Sequence, residues 1–354
     1  MGTMHGEYKV PDGKLVVADI ELDEDREEIV EAIISGDFFL EPAEAIHDVN
    51  ASLIGAPASA SVAELQARVA VALGLEATMV GFTPDAVAIA VRRALGHATG
   101  WHDHKFDIIH DKPREPHLQM ALDDVLARAV GEGRRGPTLR VWEWERNAVV
   151  IGSFQSIRNE VDPLGVQKHD ITVTRRVSGG GAMFIQPGNT ITYSLYAPAS
   201  LVEGLSFEKS YAFLDDWVIG ALRELGIHAN YVPLNDIASP MGKIAGAAQK
   251  RYASGAVLHH VTMAYDIDAV AMTEVLRIGR EKLSDKGTKS ANKRVDPLRS
   301  QTGMTREAII DSLLSYFATR YDTRPGGVTQ EEYMEARGLV ASRFATPQWI
   351  GLVP

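Results

Sequence analysis

The chain has 354 residues, 45% hydrophobic and 23% charged, with a formal charge of -11 and no cysteine. That length and composition predict two globular domains with apolar material enough for a large core. Disulfides, thiolate metal sites and a cysteine nucleophile are excluded, a reducing cytoplasmic setting fits, the acidic balance argues against gripping nucleic acid by phosphate neutralisation, and no apolar run is long enough to span a membrane.

Tyr8 to Val10 and Lys14 to Leu22 read as strands around Pro11-Asp12-Gly13, a turn set by the fixed φ of proline and the tolerance of glycine for positive φ. Ile33 to Leu40 reads as a further strand, and Pro42 opens a helix with the apolar stripe Ala45, Ile46, Val49, Leu53. Ser61 with Glu64 forms a capping box ahead of Leu65, Val69 and Leu73, while Thr83-Pro84-Asp85 opens a third helix that Gly96 closes. Residues 1–98 are therefore expected to form a small α+β domain. From Gly96 to Pro116 the periodicity is lost and His97, His102, Asp103, His104 and His110 gather. No histidine pair there stands at i, i+4 in a periodic segment, so a solvated linker over 99–116 is favoured over a zinc site.

Residues 117–354 alternate short strands and helices. Leu118, Leu122, Val125, Leu126 and Ala129 make one helical face; Thr138 to Trp144, Val149 to Gly152, Ile171 to Arg175 and Thr190 to Tyr196 read as strands. Phe207 to Leu225 reads as a long amphipathic helix, and helices from Arg306 to Tyr321 and after Thr329, with Glu332 at its third position, close the chain.

The densest local signal is Arg175-Arg176-Val177-Ser178-Gly179-Gly180-Gly181-Ala182, followed by Gly188-Asn189. Three glycines weaken regular structure and allow a sharp bend or a close ligand approach, and two arginines beside them point to an anion. Taken alone, the segment fits an exposed glycine-rich turn better than a ligand loop. It matches neither the P-loop nor the dinucleotide fingerprint. A second cluster is Asn235-Asp236-Ile237 with Gly242-Lys243-Ile244-Ala245-Gly246-Ala247-Ala248-Gln249, where small residues give the Lys243 ammonium access to a pocket. A lone surface lysine is the more ordinary reading, yet a unit charge about 4 Å from a phosphate contributes about 4 kcal/mol at an effective dielectric near 20. His259 and His260, adjacent on a strand, point to opposite faces and cannot share one metal, which leaves one of them for a pocket.

In this order, Trp142 to Asp162, the Arg175–Asn189 loop, Asn235–Gln249, His259-His260 and Lys286-Gly287-Thr288-Lys289-Ser290 leading to Arg294-Val295 resemble the lipoate-protein ligase family. The Arg-Arg-x-Ser-Gly-Gly-Gly-Ala motif is complete and Gly-Lys-Ile-Ala-Gly-x-Ala-Gln is nearly so, and the likeness covers most of residues 107–354. Lys9-Val10-Pro11-Asp12-Gly13-Lys14-Leu15 and Ser35-Gly36-Asp37-Phe38-Phe39-Leu40, within residues 5–96, look like the small accessory domain of such ligases, here in front of the catalytic part.

The resemblance implies an α+β fold of the biotin/lipoyl-ligase kind, a mixed sheet flanked by helices with a small α+β accessory domain. It implies that lipoate attacks the α-phosphate of ATP, and that the lipoyl-adenylate acylates a lysine of a lipoyl domain, in a 2-oxoacid dehydrogenase complex or the glycine cleavage H protein. Lys243 would take the catalytic position and touch both acid and nucleotide; Arg176, Gly181, Ala182, Met183, Phe184, Asn235 and Asp236 would bind the nucleotide; Ser178, Gly179, Gly180 and His260 would bind the lipoyl group. Mg2+ would travel with ATP, through Asp236 if through any side chain. Gln155, in the family's Gly-x-x-Gln pattern, is expected to be structural or pocket-lining. Ile185-Gln186 replaces the usual His-Asp, which removes or moves any polar role there. Two other readings remain: an ATP-independent octanoyl or lipoyl transferase, which would need a nucleophile other than cysteine, and a non-catalytic ligand-binding relative.

Overall fold

The structure, a computed structural model, describes residues 3–23, 25–74, 77–96, 98–277 and 295–354. Contacts divide the chain into one unit running to Asp103 and including Ser200–Phe213, and a second made of His104–Ala199 and Leu214–Pro354.

In the first unit β1 (Met4–Lys9), β2 (Leu15–Asp23) and β3 (Glu28–Gly36) form an antiparallel sheet in the order β1-β2-β3. The β1–β2 turn forms where the sequence predicts it, but the residue with positive φ is Asp12 rather than Gly13, as suits a short side chain that tolerates left-handed backbone. The strand expected over Ile33–Leu40 ends instead at Gly36. Asp37 there accepts the Leu15 amide hydrogen at 2.5 Å, and the chain resumes as β4 (Phe39–Glu41), paired with β5 (Thr78–Val80). Three helices, α1 (Ala45–Leu53), α2 (Val62–Leu73) and α3 (Pro84–Leu95), supply the apolar layer. The Ser61–Glu64 capping box and the Thr83 cap with Pro84 in the first turn are both present, and Gly96 caps the end of α3. Val16, Ala18 and Ile20 alternate inward and are buried, as are Val49, Leu53, Leu65, Val69 and the Ala86–Val91 run. A Cβ on Gly6 would overlap the backbone of Ala90 and Ala94, so that glycine lets α3 lie directly on β1.

The second unit holds an eight-stranded mixed sheet and a three-stranded one. Its strands are β6 (Lys105–Arg114), β7 (Thr138–Trp144), β8 (Ala148–Ile151), β9 (Thr172–Arg175), β10 (Met183–Ile185), β11 (Thr190–Pro198), β12 (Asn230–Val232), β13 (Asp236–Ser239), β14 (Gly242–Arg251), β15 (Ala256–Ala264) and β16 (Asp322–Pro325). The large sheet runs β12-β13-β14-β15-β11-β7-β6-β16, antiparallel except for the parallel pairs β6–β7 and β6–β16; the small sheet runs β10-β8-β9. Thus the stretch expected as a linker over 99–116 carries a ten-residue strand. Pro113 and a register shift between His110 and Pro113 break the period there, while Phe106 and Ile109 are buried. His110 pairs with Glu143 at 2.8 Å, and no group of His, Cys, Asp or Glu able to hold a metal occurs among the described residues.

The helix α4 (Pro116–Gly131) is buried along nearly its whole length, packing Leu118, Leu122 and Leu126 against Trp142, Trp144, Val150, Ile185 and Leu258. It therefore carries polar residues into the core, Gln119, Asp123 and Asp124, each of which finds hydrogen-bonding or ionic partners. No helix among the described residues is long and apolar enough to cross a membrane.

Candidate functional site

Within the second unit, a cavity of about 450 Å³ opens beside β14 and β15. Arg176 and Gly181–Phe184 contribute to its wall, with Asn235, Lys243–Ala248, His260 and Thr262; Ile267, Met272 and Leu276 add apolar surface. A cavity with an apolar stretch and a few convergent polar groups suits an amphiphile with one charged end.

Lys243 is placed by an irregularity in the sheet. Ile237 pairs with Ala245 and Ala238 with Lys243, so Ile244 is an extra residue in β14, a bulge of the kind that re-aims side chains. The ammonium reaches Asp236 Oδ1 at 2.7 Å, with the lysine side chain 36% exposed and the carboxylate largely buried. Asp236 lies opposite Gly246 in the ladder, and a Cβ on Gly246 would stand 2.9 Å from Lys243 Nζ. The missing side chain is the space that the ammonium uses. Beyond Lys243, Asp296 N donates to the Lys243 carbonyl at 2.9 Å and Val295 bridges to Lys243. Asn235 Nδ2 donates to the Ala247 carbonyl at 2.6 Å, which binds the approach to β13 against β14.

The arginines that suggested an anion face inward on the backbone. Arg175 is fully buried and donates to the carbonyls of Gly152, Gln155 and Ile350 at 2.8–2.9 Å; burial pushes its guanidinium pKa down. Arg176 Nη2 donates to the carbonyls of Gly179 and Gly181 at 2.6 and 2.9 Å, and Nε to Ser178 Oγ at 3.1 Å. Arg176 folds the glycine loop, and Arg175 ties the Gly152–Gln155 turn to the C-terminal segment, each by filling carbonyls that the turning backbone leaves without partners. Gly180 has φ +93, and its carbonyl lies where a Cβ on Gly152 would be, so the loop closes only because both positions lack side chains.

His260 ties this loop to α4. Its Nε2 lies 2.6 Å from Ser178 Oγ and its Nδ1 2.6 Å from Asp123 Oδ2, while Asp123 Oδ1 accepts the hydroxyls of Ser194 and Tyr196 at 2.7 Å each. All five residues are buried. Burial holds the imidazole below its ordinary pKa, aided by Arg176 and His259, against the opposing pull of Asp123. His259 points to the other face and pairs with Asp215 at 2.7 Å.

The structure thus brings Arg176, Gly181, Ala182, Met183, Phe184, Asn235, Lys243 and His260 to one cavity, with Asp236 on Lys243. Ser178, Gly179 and Gly180 are absent from that wall and belong to the loop behind the hydrogen bonds of Arg176 and His260. Gln155 is structural: its Oε1 accepts the Gly152 N–H at 2.8 Å. Ile185 is buried in the core cluster and Gln186 accepts from Asn189, so packing and a turn contact occupy the His-Asp positions. Residues 286–290 and Arg294 lie outside the described residues. Sequence reasoning missed Asp123, Ser194 and Tyr196. The one available signal was a pair of carboxylates in the middle of an otherwise apolar helix. It also missed Met272 and Leu276, in and just after the short helix Ala269–Val275, which offers no motif.

Known proteins resemble this chain in sequence and fold. A family model described as the lipoyl protein ligase A/B catalytic domain fits residues 115–318. Lipoate-protein ligase A subunit 1 of Thermoplasma acidophilum is 27% identical over 250 residues, 68% of this chain and 93% of that protein. The octanoyltransferase LipM of an Exiguobacterium species is 25% identical over 282 residues, 71% of this chain and 98% of that one. Among solved structures, the bipartite lipoate protein ligase of T. acidophilum, studied with its E2 lipoyl domain, superposes with a TM-score of 0.61 at 27% identity, covering 71% of this chain and 98% of that one. A lipoate-protein ligase A bound with ATP shares the fold at TM-score 0.60 and 24% identity, over 70% and 99% of the two chains. The chain belongs to the lipoyl protein ligase A/B catalytic-domain family.

Proposed function

We propose that this protein is an ATP-dependent lipoate–protein ligase, which activates lipoate as lipoyl-adenylate and passes the lipoyl group to a lysine of a lipoyl domain. Attachment of lipoyl or octanoyl groups is the chemistry shared by the ligase and octanoyltransferase relatives. The observation that carries the finer reading is Lys243: an ammonium on a bulged strand, held at 2.7 Å by Asp236, in the wall of a half-apolar cavity that also holds the end of the glycine loop.

Activation brings a carboxylate up to a phosphate, two anions that repel. An ammonium fixed beforehand between them offsets that repulsion without reorganising, and the same charge then favours the oxyanion that forms when an acceptor amine attacks the adenylate. The backbone of Gly181 and Ala182, free of bulk, lets the nucleotide come close, with Met183 and Phe184 beside it. Ile267, Met272 and Leu276 would take the apolar acyl chain. Arg176 contributes by folding the loop, with its positive charge near the cavity. Asp236 is the side chain that would help hold Mg2+, and the ion when bound with ATP would offset phosphate charge. The acceptor is proposed to be a lipoyl domain, the kind of partner studied with the bipartite T. acidophilum ligase.

The test is pyrophosphate release from ATP and Mg2+ with lipoate, octanoate and biotin in turn, followed by mass analysis of a lipoyl domain. Release with lipoate and addition of a lipoyl mass to one lysine are expected. A rival reading, ATP-independent acyl transfer, draws on the octanoyltransferase relatives; modification of the lipoyl domain from an octanoyl thioester with no release of pyrophosphate from any acid would establish it instead.

A further inference from the structure

The chain Asp123–His260–Ser178 has a direction that its partners fix. Asp123 Oδ1 already accepts two hydroxyl protons, from Ser194 and Tyr196, so the carboxylate acts as an acceptor throughout and His260 Nδ1 must donate to Oδ2. A neutral imidazole carrying its proton on Nδ1 has a bare Nε2, which then accepts the Ser178 hydroxyl hydrogen at 2.6 Å. Ser178 Oγ in turn accepts Arg176 Nε–H at 3.1 Å, and the Ser178 carbonyl accepts Ser153 N–H at 2.8 Å. Every proton in the chain has one place to go. The far end is the loop whose Gly181 and Ala182 wall the cavity, and His260 itself is part of that wall.

We propose that Asp123, on a helix remote from every sequence motif, is a positioning residue for substrate binding: by holding His260 as the Nδ1–H tautomer it orients the Ser178 hydroxyl and with it the glycine loop. The proposal rests on reading this cavity as the acid-binding site. Asp123 touches no substrate; it acts through His260 and Ser178. The neutral state of His260 is consistent with its burial.

The decisive variant is Asp123→Asn, of the same shape. The Asn oxygen keeps the hydroxyls of Ser194 and Tyr196 and presents its N–H2 to His260 Nδ1, which must then accept, moving the ring proton to Nε2 and setting it against Ser178. ¹⁵N-histidine NMR reads this directly: His260 is expected as Nδ1–H in the parent and Nε2–H in Asp123→Asn. Calorimetric titration with lipoate and with octanoate, together with steady-state pyrophosphate release, is expected to show a dissociation constant and KM for the acid raised about tenfold, with kcat within about threefold, as for loss of one well-formed buried hydrogen bond. Ser178→Ala is expected to weaken acid binding similarly, and Asp123→Asn added to it to change little more, because the two act along one chain. If Asp123→Asn does not fold, Ser178→Ala still decides, since unchanged acid affinity there overturns the proposal. So does an inverted tautomer with unchanged affinity, or effects of the two substitutions that multiply. Acid binding without any pyrophosphate release would overturn the ligase reading and leave this inference standing on the titration; no acid binding at all would overturn both.

Discussion

At the scale of single residues, Lys243 was legible because it stands in a run of small residues that also carries the family motif. Its partner geometry was not, since the bulge at Ile244 that aims it depends on pairing between β13 and β14. Lys243→Ala is expected to lower acid-dependent pyrophosphate release at least about a hundredfold with unchanged thermal melting, the usual loss for one preorganised charge; activity within a few-fold of the parent would move the role to another residue. Gly246→Ala is the subtler test. The added methyl would stand 2.9 Å from Nζ and push the ammonium off Asp236 without touching the core, so a loss of ten- to a hundredfold in release is expected, again with melting unchanged. His260 supplies a prediction in pH. Its folded pKa lies below the ordinary 6.5 because of burial, so on acidification the unfolded chain takes up the proton first, and stability falls as pH drops below about 6.5. Half-buried His117, also lowered by burial, has the same sign; His110, raised by its hydrogen bond to Glu143, has the opposite one and stabilises below that pH. Urea unfolding between pH 7 and 5.5 is expected to show a shallower acid loss in His260→Gln than in the parent, even though the variant is less stable overall. Parallel curves would mean that His260 is not held neutral.

At the scale of elements, what reads well from sequence is what is settled locally. The α2 capping box, the Thr83–Pro84 start of α3 and the β1–β2 turn are each decided by a few adjacent side chains and occur where the spacing puts them. The β6 strand was hidden for the converse reason: its pairing is parallel to β7 and β16, both distant or crossover-connected, and its own period is broken at Pro113. The helix α4 was legible from its apolar face, but burial along nearly its whole length blunts the amphipathic contrast, and Gln119, Asp123 and Asp124 are what betray that it carries more than packing. Close approach between elements gives a testable case in β1. Gly6→Ala would force the α3 backbone at Ala90 and Ala94 away from the sheet, at a cost of about 1–3 kcal/mol, the range for overpacking a filled interior. Hydrogen exchange should quicken across β1 and α3, while amides of β14 and β15 keep their protection; uniform protection in the variant would show that the contact yields easily.

At the scale of the whole molecule, the contact division differs from a simple cut in the sequence, because Ser200–Phe213 belongs with the first hundred residues. Arg93 shows why. It is almost wholly buried and donates to the carbonyls of Glu7, Thr99, Leu201 and Glu203, with its pKa pushed down by burial to about 10. Leu201 and Val202 are fully buried beside it. A protein beginning at His104 therefore loses the donor that satisfies those carbonyls and the surface that covers those side chains, and residues 200–213 should exchange their amide hydrogens much faster than in the full chain. We expect this truncated protein to lose ATP-dependent activation yet still modify a lipoyl domain when given synthetic lipoyl-adenylate, with residues 1–103 added in trans restoring part of the activation. The two half-reactions differ in what they require. In the proposed ligase reaction, activation would have to hold two anions together with water excluded and would be the step more sensitive to loss of part of the chain, whereas aminolysis of a mixed anhydride is downhill and would need chiefly Lys243 and the glycine loop, both in the second unit. Pyrophosphate release by the truncated protein as fast as by the full chain would show that the front unit has a different task.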